Sequence, residues 1–244
     1  MKFFYLFILL SLVSCKDSAT MSVEEVSYKK KSTIVLENGL TTEAHFLIPN
    51  CQGNTLLTNR INNFFLYKTA EIIGFDANKE KVSYQYLMDA FVFDYEKMKK
   101  MLPLDNTPWE AKLSGNINEL NQIYNPYISY YVFSGGTSLE EGIKSTFFSK
   151  KTETEIQIKD LFLNFKSFEK FAEKSFIEQF GSYKTNEFYF ENEEFKLAEN
   201  HYIKDNNWVI SYATGEIAPM YKGVFEVKIP LDSLKPMLNP IYFK

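Results

Sequence analysis

Apolar side chains recur every three or four residues in three stretches of the chain, and this spacing predicts three main α-helices. The predicted helices cover residues 54–73, 82–102 and 168–180. Asn54 or Thr55 is placed to cap the start of the first helix, and Gly74 would end it. Pro103 stops the second helix, and Ser167 is the expected N-cap of the third.

Elsewhere apolar and polar residues alternate, which is the pattern of half-buried β-strands. Strands are predicted over residues 23–36, 43–48, 109–120, 127–133, 143–148, 155–158, 195–203, 208–212 and 224–229. Asn125 and Pro126 supply a turn signal between two of them, and Gly135 and Gly136 supply another. A short closing helix is predicted over residues 232–238, with Asp232 contributing to its cap.

Helices segregated from a mainly antiparallel sheet define the fold class as α+β, here with three main helices and a short C-terminal helix. Residues 23–135 form the predicted N-terminal part and residues 136–244 the C-terminal part, packed as one compact unit. Hydrophobic residues make up 45% of the chain and aromatic residues 17%, which excludes a disordered stalk.

The first residues have the pattern of a bacterial lipoprotein signal. Lys2 precedes an apolar run of ten residues, Phe3 to Leu12, which is interrupted only by Ser11. The run is too short to span a bilayer, which takes ~20 apolar residues. Leu12-Val13-Ser14-Cys15 then closes the signal. We expect cleavage of residues 1–14, acylation of Cys15 and a lipidated tether over residues 15–22. The alternative is an ordinary secretory signal with a chance cysteine.

The charge pattern argues against nucleic acid as a partner. The chain has a formal net charge of -4, and Arg60 is its only arginine. Nucleic-acid sites usually cluster basic residues on one face and favour the planar arginine fork. The expected partner is instead the membrane, reached through the lipid anchor.

The few cysteines and histidines show no spacing typical of a metal site. Once Cys15 is acylated, Cys51 has no partner for an intramolecular disulfide. His45 and His201 are the only histidines, and neither lies at ligand spacing from a cysteine. The alternatives for Cys51 are a nucleophile assisted by His45 and a buried or loop cysteine without a chemical role, and the second is favoured. The sequence therefore predicts no metal and no cofactor.

The C-terminal third contains the segment NNWVISYATGEIAPMYKGVFEVKIPLDSL, residues 206–234. It resembles the C-terminal signature of a bacterial envelope domain family of unknown function, the PdaC/RsiV-like family. That domain occurs in a peptidoglycan deacetylase and in a lysozyme-sensing anti-sigma factor. Weaker similarities lie in residues 131–136, in EIQIKDLF at 155–162 and in the first helix at 59–65. The resemblance implies the accessory domain and not the enzyme, because the deacetylase's metal-binding catalytic domain has no counterpart here.

Two departures from the family pattern affect the expected site. Thr137 and Ser138 replace an Ala-His pair, and Gly215 stands where a tyrosine is common. The candidate ligand-binding residues are Tyr212, Glu216, Tyr221, Gly135 and Gly136. The alternatives are two core tyrosines, a turn acid bonded to nearby amides and a plain sheet turn.

No catalytic residue is assigned, and the expected function is recognition without turnover. By resemblance, the ligand is a peptidoglycan fragment or a lysozyme-like protein. The rival is an envelope hydrolase that uses Glu216 or another carboxylate, because a desolvated acid gains the raised pKa that general acids need. An enzyme would place that acid in a deep cleft, whereas a binding protein would offer a shallower tyrosine-rich face.

Overall fold

The computed structural model describes residues 21–53, 55–76, 81–102, 107–185 and 187–244. The predicted signal peptide, Cys15, Asn54 and Pro103 lie outside these residues. None of the described helices is long and apolar enough to cross a membrane.

A seven-stranded sheet forms the larger layer of the fold, in the order β1-β2-β3-β4-β6-β7, with β5 also paired to β4. Its strands are β1 (Ser22–Val35), β2 (Thr41–Gln52), β3 (Glu110–Leu120), β4 (Ile123–Phe133), β5 (Leu139–Ser145), β6 (Phe147–Ser149) and β7 (Glu155–Ile156). Among the described strands, only β2 and β3 run parallel, because two helices, α1 (Leu56–Ile73) and α2 (Tyr84–Met101), connect them.

Both helices pack on one face of this sheet, where the inward positions of β2 supply Ala44, Phe46 and Ile48 to a buried core. The side chain of Thr55 accepts a hydrogen bond from Thr58 N, which confirms Thr55 as the N-cap of α1. Gly74 ends α1 in a left-handed conformation, as the sequence predicts.

A second, three-stranded antiparallel sheet has the order β10-β9-β8. Its strands are β8 (Asn200–Lys204), β9 (Asn207–Tyr212) and β10 (Phe225–Pro230), and α3 (Phe165–Phe180) packs against it. The chain ends with two short helices, α4 (Leu231–Leu234) and α5 (Pro240–Phe243). Trp208 lies fully buried in this second core, where its ring stacks on Phe147 at a centroid distance of 5.2 Å. The α+β class with a mainly antiparallel sheet is confirmed.

Two asparagine side chains, one buried and one half-buried, join the two sheets. Asn125 of β4 donates to Thr146 O (2.8 Å), and its Oδ1 accepts from Ile203 N of β8 (2.9 Å). Asn200 of β8 accepts from Ser145 N of β5 (3.2 Å). The sheets are therefore joined by directional bonds to backbone groups as well as by apolar contact.

Four local predictions were wrong. Asn125 and Pro126 lie inside β4 and form no turn. Asn164, and not Ser167, caps α3, and its side chain accepts from Ser167 N. Residues 195–199 lie outside β8. Asp232 does not cap α4, which follows Pro230 without a side-chain cap, and instead pairs with Lys235 (2.7 Å).

The outer edge of β10 is covered by a side chain of α3. Gln179 Nε2 donates to Lys228 O, and Gln179 Oε1 accepts from Lys228 N, both at 3.0 Å. The amide thus occupies the positions that a neighbouring strand would use.

Candidate functional site

The Glu216 cleft is an open cavity of about 620 Å³ on the C-terminal half of the molecule. One wall is the irregular segment 189–200, and the other is the turn 212–217 that follows β9. Lys144 of β5 closes one side. The volume lies within the range of small-molecule sites, ~300–1,000 Å³.

Glu216 projects into this cleft from its turn. Its Oε2 accepts a hydrogen bond from Ala213 N (2.8 Å), so the carboxylate bonds to the backbone of its own turn. Although Glu216 is accessible to solvent, the surrounding walls desolvate it and raise the pKa of its carboxyl, and the negative charge of Glu199 adds to the increase. The hydrogen bond from Ala213 lowers the pKa, but the net shift is upward.

Tyr212 lines the cleft but is buried, and burial raises the pKa of its hydroxyl. The hydroxyl donates to Lys196 O (2.8 Å) on the opposite wall. Tyr212 therefore holds the wall in place and presents no open face to a ligand. Tyr212 thus has the place of a core residue with a bonded hydroxyl, which is the alternative that the sequence left open.

A second buried contact fixes the same wall two residues further on. His201 Nε2 lies 2.9 Å from Ala198 O, and Trp208 Nε1 donates to His201 Nδ1 (2.8 Å). Because a carbonyl oxygen only accepts, Nε2 carries a proton. Because Nδ1 accepts from Trp208, Nδ1 carries none, and the ring is neutral. Complete burial lowers the pKa of His201 to about 4, which keeps it neutral.

Tyr221 lies on the short turn 220–222, does not line the cleft and is 86% exposed. Tyr189, which lines the cleft, is 57% exposed, and its backbone N donates to Ile217 O (2.8 Å). The hydrogen-bonded ion pair with Glu187 (2.8 Å) raises the pKa of the Lys222 amine, and the nearby hydroxyls of Tyr221 and Tyr189 add to the increase. We call Tyr189, Tyr221 and Lys222 the tyrosine patch.

Gly135 and Gly136 form the turn between β4 and β5, with Ser138 N donating to Gly135 O (3.0 Å). A side chain on Gly135 would reach within 2.7 Å of the Trp109 indole nitrogen, so close packing explains this glycine. Neither glycine lines the Glu216 cleft. The structure places them apart from the other three candidates.

Cys51 is buried in the first core, and burial raises the pKa of its thiol to about 11. Its backbone N and O both bond to the side-chain amide of Asn62. Because its pKa is raised, the thiol of Cys51 stays protonated at neutral pH and is a poor nucleophile. His45 bonds instead to Ser27 Oγ (3.1 Å). Among the described residues, no group of three histidine, cysteine or acidic side chains could hold a metal ion.

Residues 145–232 match the family model described as a protein of unknown function, DUF3298. The matched residues include most of the segment 206–234 that carries the resemblance. The PdaC/RsiV-like proteins contain the same domain family, so the resemblance is confirmed at the level of the domain. The DUF3298 segment spans β6 to β10 and includes Glu216 and the whole tyrosine patch.

Two solved structures share the fold over nearly the whole chain. A DUF3298 family protein from Pseudomonas aeruginosa PAO1 is 14% identical, with a TM-score of 0.64, and covers 92% of this chain and 97% of its own. A DUF3298 family member from Bacteroides fragilis NCTC 9343 is 12% identical, with a TM-score of 0.58 and coverages of 91% and 96%. No curated protein matches the chain. At such identities these structures show the fold alone.

Proposed function

We propose that the protein is an acylated envelope lipoprotein whose DUF3298 segment recognises a cell-wall saccharide or muropeptide without turning it over. The observation that supports this most directly is the tyrosine patch beside a cleft of ligand size. Exposed tyrosine rings present broad, weakly polar faces that stack on sugar rings. Lys144, Lys196 and Glu199 in the same cleft would contact the charged groups of an attached peptide.

The bonding of Glu216 favours recognition over hydrolysis. One of its carboxylate oxygens accepts from Ala213 N, which ties the side chain to the turn. Of the described side chains, none donates a hydrogen bond to Glu216. A carboxylate fixed in this way can accept a hydrogen bond from a ligand hydroxyl or amide N–H through its other oxygen.

A hydrolase remains the second candidate because a specific observation favours it. Glu199 lines the same cleft, and its charge raises the pKa of Glu216. Two carboxylates across one cleft are the minimum requirement of glycosidase chemistry. In that case Glu216 would be the general acid, since its pKa is raised.

Tyr221→Ala should weaken muropeptide binding several-fold without unfolding the domain, since the side chain is 86% exposed and central contacts typically cost more than ~1 kcal/mol on truncation. Phe93→Ala is the matched control, because Phe93 is 64% exposed on α2, far from the DUF3298 segment in sequence. Calorimetric titration of the purified variants with muropeptides measures the effect. Equal losses in both variants would contradict a specific role for the patch, and binding only of a lysozyme-like protein would replace the saccharide as ligand.

Glu216→Gln should change muropeptide affinity, because amide and carboxylate have the same shape but only the carboxylate is charged. Neither the wild type nor the variant should hydrolyse muropeptides. A muropeptide-release assay on wild type and variant, run with the titration, separates the two candidates. Turnover by the wild type that disappears in Glu216→Gln would establish the hydrolase and refute the recognition proposal.

Cys15→Ala should abolish incorporation of labelled palmitate, because Cys15 is the proposed acylation site. Lasting anchorage in the membrane needs more than one acyl chain. Cys51→Ala is the natural control, since Cys51 is buried and should not affect labelling. Normal labelling of Cys15→Ala would show that the anchor has another origin.

A further inference from the structure

We propose that a second cleft, centred on Arg60, binds a carboxylate that is attached to an apolar group. The Arg60 cleft has a volume of about 850 Å³ and lies between α1 and the β5–β7 end of the larger sheet. It shares no lining residue with the Glu216 cleft. The inference is therefore independent of the proposed function.

Arg60 is the only arginine of the chain, and it lines the larger of the two clefts. One terminal nitrogen of its guanidinium donates to Glu153 O, at the turn between β6 and β7. Among the described residues, no carboxylate lies within ion-pair distance of Arg60 and no other acceptor bonds to it. A guanidinium has five N–H donors in a planar fork, so most of them are available to a ligand.

The other charged side chains that line the cleft, Lys68, Glu71, Asp76 and Glu155, all have partners of their own. Glu71 accepts from Lys68 (2.6 Å) and from Lys144 (2.7 Å), so these two lysines share one carboxylate. Glu155 accepts from Thr146 Oγ1 (2.5 Å). Arg60 is consequently a cation of this cleft without a carboxylate partner among the described residues, and a ligand carboxylate would supply one in the bidentate geometry that arginine favours.

Aromatic side chains form the wall of the cleft next to this cation. Phe64 and Phe148 are buried and belong to the first core, so their positions are fixed by packing. Tyr67, one helical turn beyond Asn63 on α1, is 47% exposed, and Phe75 follows the end of the helix. An apolar group joined to the carboxylate would cover these rings. A carboxylate without such a group would leave them exposed to water.

A peptide C-terminus and a fatty acid share this chemistry, and four probes distinguish them. N-acetylphenylalanine and octanoate carry the carboxylate, and N-acetylphenylalanine amide and octanamide lack it. Calorimetric titration of the full-length protein should detect binding of at least one acid, with the corresponding amide weaker by about 10-fold or more, because a charge-assisted hydrogen bond contributes ~1.5–3 kcal/mol. The acid that binds identifies the source. Equal binding of acid and amide, or no binding of any probe, would overturn the proposal.

Two variants test the residues. Arg60→Gln should lower the affinity for the acid to that of the amide, and Arg60→Lys should recover only part, since an ammonium cannot form the fork. Because Arg60 also bonds to the β6–β7 turn, the melting temperature of each variant is measured. Tyr67→Ala, which leaves that turn untouched, should weaken binding several-fold.

Glu216→Gln is the matched control and should bind the acids like the wild type, since Glu216 lies in the other cleft. Loss of acid binding in Glu216→Gln, or wild-type binding in both Arg60→Gln and Tyr67→Ala, would refute the assignment to the Arg60 cleft. A negative result for muropeptides at the Glu216 cleft would leave this assignment unaffected.

Discussion

Trp208→Ala should lower the free energy of unfolding by about 3–5 kcal/mol, which is the usual cost of removing a buried large aromatic side chain. Trp208 is fully buried, stacks on Phe147 and meets Phe162 and Phe168 edge-on at centroid distances of 5.1 and 5.9 Å. Its removal also leaves His201 Nδ1 without its donor. Urea unfolding followed by circular dichroism measures the loss.

Trp208→Phe is the matched variant, because it keeps an aromatic ring and removes the indole N–H. We expect a smaller loss than in Trp208→Ala, of about 1–3 kcal/mol, which is the typical cost of leaving a buried acceptor unpaired. If Trp208→Ala unfolded at the same urea concentration as the wild type, the second core would not be organised around this residue.

Acid should destabilise the protein through His201. The pKa of His201 is about 4 in the folded protein against 6.5 for the free side chain, so the unfolded chain binds a proton first as the pH falls. The neutral His201 ring therefore contributes its full stabilisation above pH ~6.5, and this contribution is lost as the pH falls towards ~4. It amounts to about 3 kcal/mol, on the order of 1.4 kcal/mol per pKa unit. Protonation would place a proton on Nδ1, where Trp208 already donates.

A variant of His201 tests this prediction. His201→Gln should flatten the pH dependence of stability between pH ~6.5 and ~4 relative to the wild type, because the amide does not titrate in this range. Urea midpoints of the wild type and the variant across this pH range measure the difference. An unchanged slope in His201→Gln would show that carboxylates alone cause the acid sensitivity.

Local chemistry explains which elements could be predicted. The helix α1 was recognisable because Thr55, the apolar spacing and Gly74 act within the element itself. Pro126 misled because it has no N–H, yet it lies where the neighbour of β4 changes from β5 to β6. Phe195 and Leu197 alternate like a strand, but they cover the second core without strand pairing.

The candidate site shows the same limit. Tyr212 and Glu216 line one cleft because a single turn connects them. Tyr189 and Lys144 reach that cleft from distant parts of the chain, and no local pattern indicates it. Arg60 was visible as the only arginine, but its cleft forms only when α1 packs beside β6 and β7.

The covered edge of β10 limits how copies of this protein associate. In the register with β9, the backbone groups that point outward belong to alternate residues, Glu226, Lys228 and Pro230. Gln179 bonds to both groups of Lys228, and Pro230 has no N–H to offer. A second molecule would have to displace Gln179 before it could extend this sheet. The β10 edge is therefore protected against the strand-to-strand association from which fibrils grow.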